Sequence, residues 1–117
     1  MREYEAALKS NPGSVPAQNN LAWLLATAAD PKLRNGKKAV ELAEQAVLAT
    51  DGHNPVFLHT LAAAYAENGD FTKAIAAAND ALEIANANGI TSLAESLRSK
   101  IALYQSGLPY HEEPPAR

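Results

Sequence analysis

Three histidines, one tryptophan and a tight run of basic residues are the side chains of this sequence whose chemistry could amount to a function. His53, His59 and His111 could each act as a metal ligand or a general base. None has a second His or a carboxylate at ligand spacing on the same helical face, and the chain contains no Cys. The spacing therefore predicts no metal site. His53 is expected just after a helix C-terminus, where the helix dipole tolerates an imidazole. Lys32, Arg34, Lys37 and Lys38 place four of the ten basic residues within seven positions. Lys37 and Lys38 fall near a helix N-terminus, where each positive charge costs about 0.3–1 kcal/mol. Either an acidic partner offsets that cost or the cluster is a solvated loop, and the solvated loop is the expectation. Glu41, Glu44, Asp80 and Glu83 are likewise expected on solvated helix faces. With no Gly-rich phosphate loop, no nucleophile beside a recognisable base and no carboxylate pair off those faces, the sequence predicts no catalytic residue, no cofactor and no enzyme.

Trp23 is the only Trp. A Trp in an open groove makes a good anchor for a partner's side chain. It is expected to pack under the loop of residues 31–36, because Trp is highly buried on average; one free ring face would let both roles coexist.

The elements that must position these groups are helices. Ala supplies 25 residues whereas Val and Ile together supply eight, so strand propensity is low and close helix packing is favoured. A first helix, about residues 2–10, carries Tyr4, Ala7 and Leu8 on one face and stops at Asn11-Pro12-Gly13. The second starts near Ser14, an N-cap candidate with Pro16 in the first turn, and runs to about Ala29 with Leu21, Leu24, Leu25 and Ala28 as its buried stripe. A third, from about Lys37 to Thr50, turns Ala39, Val40, Ala43, Ala46 and Val47 inward and stops at Gly52. Asn54-Pro55 opens a fourth that ends at Asn68-Gly69. Asp70 caps a fifth, about Phe71 to Ala87, with Ala74, Ile75, Ala78, Ala81, Leu82 and Ala85 on its packed face. The last begins around Ser92, where Ser92 and Glu95 have capping-box spacing, and carries Leu93, Leu97, Ile101 and Tyr104. Gly107, Pro109, Pro114 and Pro115 then leave residues 107–117 as an irregular tail.

The net charge of -3 and the lack of a Lys/Arg stripe argue against nucleic acid as a partner. The longest apolar stretch, Leu21 to Ala29, falls far short of the roughly 20 residues that span a bilayer, so direct membrane insertion is not expected. Without Cys the compartment stays open: cytoplasmic is preferred and periplasmic also fits.

The helices come in a repeat. Leu21-Ala22, Leu25, Ala39-Val40, Ala43 and Ala46-Val47 recur as Leu61-Ala62, Tyr65, Ala74-Ile75, Ala78 and Ala81-Leu82. The first-helix pairs are 40 apart and the second-helix pairs 35, so the first copy holds five extra residues within 30–36. Residues 1–11 form a partial copy, 14–52 and 54–88 the two full copies, and 90–106 a cap on the open end of the core, together one domain over 1–106.

The second copy resembles a tetratricopeptide repeat. Leu58, Leu61-Ala62 and Tyr65 stand where the family's first helix carries its large, small and aromatic residues, Gly69-Asp70-Phe71 closes the turn, and Ala74, Ala78 and Ala81 follow at the family's steps. The first copy fits through Leu21-Ala22, Leu25, Ala39, Ala43 and Ala46 but has the insertion and lacks the Gly-Asp turn. The resemblance implies an all-α fold of antiparallel hairpins stacked as a short right-handed solenoid. It also implies a concave groove lined by the first helices: Asn19, Asn20, Trp23 and Thr27 from one copy, His59, Ala63 and Glu67 from the next. The function it implies is non-catalytic binding of a protein or peptide in that groove. Trp23 with its flanking residues, and the closing Tyr104, Gly107 and Pro109-Tyr110, look like the C-terminal end of long bacterial arrays, some attached to glycosyltransferase-like or membrane segments. The alternative is thus a structural end-piece of a larger protein, with no ligand of its own. If the partial copy lacks its hairpin partner, its apolar face is expected to seek cover, giving a homodimer through the N-terminal helix.

Overall fold

Ser14 accepts a hydrogen bond from the Ala17 amide at 3.4 Å, and Pro16 sits in the first turn, which starts the first described helix where the sequence places it. The computed structural model describes residues 14–113 and contains, among them, five helices and no strand: α1 (Val15–Thr27), α2 (Gly36–Ala49), α3 (Pro55–Glu67), α4 (Phe71–Ala87) and α5 (Thr91–Gln105). The helix expected at 2–10, and with it the proposed dimer face, lies outside the described residues.

Side-chain caps fix most of the starts. Asn35 caps α2 through Lys38, Asn54 caps α3 through Val56 and Phe57, and Asp70 caps α4 through Lys73. The exception corrects the sequence reading: α5 begins at Thr91 after Ile90 with no side-chain cap, so Ser92 and Glu95 do not form a capping box. The ends follow a second rule. Asp70 N–H reaches back to Tyr65 O at 2.9 Å across Gly69, whose φ of 82° is open to glycine. The same closure ends α4 at Gly89 and α5 at Gly107. At α2 two successive residues are left-handed, Asp51 and the predicted Gly52, and the Gly52 amide reaches back to Val47 O at 3.0 Å.

Helix α1 ends differently, two residues earlier than predicted, and without any left-handed residue. The inserted segment does the closing instead. Arg34 Nη1 donates to Ala28 O at 2.6 Å and to Ala29 O at 3.4 Å, while the Asn35 amide donates to Leu25 O at 2.8 Å. Asn35 therefore closes one helix with its backbone and opens the next with its side chain.

Each helix packs on the one that follows, through short connections of the kind that make neighbours antiparallel. Helix α1 also packs on α3 and α3 touches α5, whereas α2 and α4 do not meet. The alternate helices α1, α3 and α5 thus share one layer, and α2 and α4 lie across their backs. The core between the layers is built largely of Ala: Ala22, Ala39, Ala43, Ala62, Ala78 and Ala81 have no exposed surface. Such small side chains let helix backbones approach closely, at the expense of the larger apolar payload of Leu or Phe. Leu24, expected inside, is only partly buried and stands outside the core cluster. At the far end Leu97, Ile101 and Tyr104 of α5 are buried and close the core.

Candidate functional site

The shared layer brings one distinctive side chain from each of its three helices to a single place. Trp23 of α1 and His59 of α3 have ring centroids 5.0 Å apart, and Lys100 of α5 holds its ammonium 5.9 Å from the Trp23 ring. Helical spacing makes this possible, because each residue lies on the face its helix turns away from α2 and α4. Lys100 is only 9% exposed, although its ammonium donates to Ser96 Oγ at 2.7 Å. Burial lowers its affinity for the proton, and Glu112 partly restores it. Burial, and then the charge of Lys100, lower the pKa of His59 to about 4, so its imidazole is neutral at neutral pH.

The chain's own C-terminal segment lies on this place. Tyr110 stacks on Trp23 at 5.9 Å with a 36° tilt, and the Lys100 ammonium sits 4.2 Å from the Tyr110 ring. Glu112 Oε1 accepts the Trp23 indole proton at 3.0 Å, and the Glu112 amide donates to Thr27 O at 2.7 Å. Between them, His111 Nε2 lies 2.6 Å from Glu67 Oε1. Glu67 Oε2 in turn lies 3.4 Å from Arg34 Nε, in a partly buried pair. One carboxylate at the end of α3 therefore ties the inserted loop to the tail.

Three expectations are corrected here. Trp23 stacks on His59 and Tyr110 rather than resting under the 31–36 loop. Arg34 is not part of a solvated basic cluster: its side chain is 16% exposed and engaged with α1 and Glu67, while Lys32, Lys37 and Lys38 are exposed. Glu44, expected to be merely solvated, accepts the Tyr65 hydroxyl proton at 2.8 Å. That bond, after burial, helps push the Tyr65 pKa up to about 12.

The residues singled out for the groove fall into three groups. Asn19, Asn20, Trp23 and His59, with Val56 and Thr60, line an open cavity of about 260 Å³. Asn19 is buried, and its Oδ1, like His59 Nε2, has no hydrogen-bond partner in the protein. Thr27 and Ala63 are fully buried, so Thr27 contributes its carbonyl to the tail while its hydroxyl donates to Trp23 O. Glu67 holds His111. Sequence reasoning missed Lys100 and Glu112, and it named His111 and Tyr110 without bringing them to this place. Lys100 left a signal, since it follows Leu97 at a helical step and precedes Ile101 on an otherwise apolar face.

Compared with known proteins, the chain matches no family model, no curated protein and no solved structure. No described helix is long and apolar enough to cross a membrane.

Proposed function

We propose that this chain is a non-catalytic protein-interaction module of the tetratricopeptide type, whose stacked hairpins form a short solenoid and whose α1–α3–α5 layer is a groove for an extended segment of a partner protein. One observation carries this function: the layer already holds a non-helical segment, residues 110–112, through a ring stack, a carboxylate contact and a backbone hydrogen bond. These are general means of gripping a polypeptide, because the backbone bond is indifferent to sequence and the side-chain slots select it. The acidic balance of the chain favours a protein partner over nucleic acid.

Selection from a library of displayed peptides on the full chain tests the proposal. The selected peptides are expected to lose at least tenfold in affinity on Trp23→Ala and to keep it on Lys73→Ala, an exposed residue on the outer helix α4. Selected peptides indifferent to Trp23→Ala would refute the groove.

A second function, a structural end-piece of a larger protein, is favoured by the same tail, which covers the layer and needs no external ligand. It predicts that the library yields no peptide that depends on Trp23.

A further inference from the structure

The tail shows which chemistry the groove grips. Tyr110 and Glu112 share one side of the tail, where the Tyr110 hydroxyl donates to Glu112 Oε2 at 3.1 Å. Tyr110 and Glu112 both meet Trp23, whereas His111 turns to Glu67. The first slot, between the Trp23 ring and the Lys100 ammonium, takes an aromatic ring, because both the stack and the cation favour a π-face. The second slot takes a carboxylate, held by the indole N–H, the one donor of the Trp23 side chain. The opposite slot is the Glu67 carboxylate, which suits a hydrogen-bond donor.

The tail fills the groove incompletely. Among the described residues its one backbone hydrogen bond to α1 is that of Glu112 to Thr27, and Leu108 and Glu112 are exposed. Beside it the cavity at Asn19, Asn20 and Val56 remains open, with Asn19 Oδ1 and His59 Nε2 buried and unpaired by protein. Buried polar atoms are almost always satisfied, so a longer segment that runs into this cavity has hydrogen bonds to gain that the tail does not make.

Resting on the groove function proposed above, we infer that the partner segment carries an aromatic residue followed at the second position by a carboxylate, and that the chain's own Tyr110-His111-Glu112 is a built-in competitor which that segment displaces. A tethered competitor acts at a local concentration in the millimolar range, so it sets a threshold that only a better-fitting segment passes.

The test uses the full chain and a fluorescein-labelled peptide of sequence Leu-Pro-Tyr-His-Glu-Glu, read by fluorescence anisotropy. The variant Tyr110→Ser/Glu112→Gln, whose tail has lost both slots, is expected to bind the peptide at least tenfold more tightly than the unaltered chain. Replacing the peptide's Tyr by Ala, or the first Glu by Gln, is expected to weaken binding at least tenfold. Glu112→Gln alone changes an exposed side chain, leaves the helices intact, and is expected to shift affinity in the same direction by a smaller factor. Equal affinity of the unaltered and altered chains, or equal binding of a scrambled peptide, would overturn the inference. So would light scattering that shows dimers abolished by Tyr110→Ser, for the occupant would then be a second copy's tail. If library peptides without the aromatic and acidic pair bind in a Trp23-dependent way, the groove stands and this inference alone falls; if no binding depends on Trp23, the groove itself falls.

Discussion

At the residue scale, the neutral imidazole of His59 couples the stability of the fold to pH. Its pKa lies at about 4 in the folded chain against 6.5 for the free side chain, chiefly through burial and then through Lys100. Below pH 6.5 the unfolded chain takes up a proton that the folded chain refuses, so stability falls as pH drops from 6.5 and the fall ends near pH 4. The shift corresponds to about 3 kcal/mol at most. Urea denaturation at pH 7 and pH 4.5 is expected to show a smaller loss for His59→Gln than for the unaltered chain, by about 1–3 kcal/mol; an equal loss in both would place the imidazole in open solvent. His59 was legible in the sequence as a residue of the first helix of the second copy, because the repeat places it there. Its neighbours were not. Lys100 approaches from α5, and the Trp23–Glu112 bond joins residues 89 apart, a distance across which no helical period carries information.

At the element scale, the inserted segment of the first copy is a working part of the fold. The sequence shows the insertion as five extra residues and the missing Gly-Asp turn as a defect, but not that the first repairs the second. Arg34 and Asn35 cover the carbonyls that a left-handed glycine closes elsewhere, and Arg34 carries the contact on to Glu67. The loop must come close to do this. A Cβ on Gly36 would lie 2.9 Å from the Asn68 amide nitrogen and 3.0 Å from Glu67 C, both backbone atoms that cannot swing aside. Gly36→Ala is therefore expected to lower stability by about 1–3 kcal/mol, although Ala is the better helix former by about 1 kcal/mol. Thermal unfolding checks it; a rise in midpoint would mean that the loop stands off α3. The unpredicted start of α5 has a related cause: Ile90 enters the helix from the Gly89 turn, so the chain direction is fixed before Ser92 could cap it.

At the scale of the whole molecule, the all-helical class and the five described helices were legible, because Ala-rich stripes at helical steps, caps and glycine stops agree with one another along the chain. The two-layer arrangement follows from that agreement, since hairpins with one buried face must stack to cover it. The docked tail was not legible. Residues 107–113 have no periodicity, and their Pro and Gly content reads as a loop whether or not it docks. What fixes them is complementarity with three helices that are brought together only once the stack exists. A sequence can therefore announce a set of helices and conceal the segment that docks on them.

If this layer binds a partner segment at Trp23, the single indole of the chain reports on it directly. In a nitrogen–proton correlation spectrum of the full chain, titration with a library-selected peptide is expected to move the Trp23 indole signal saturably, with the affinity measured by anisotropy, while the amides of Lys73, Ala76 and Asp80 on the outer helix stay fixed. An indole signal that stays fixed while the peptide binds, or shifts confined to α4, would contradict binding at Trp23.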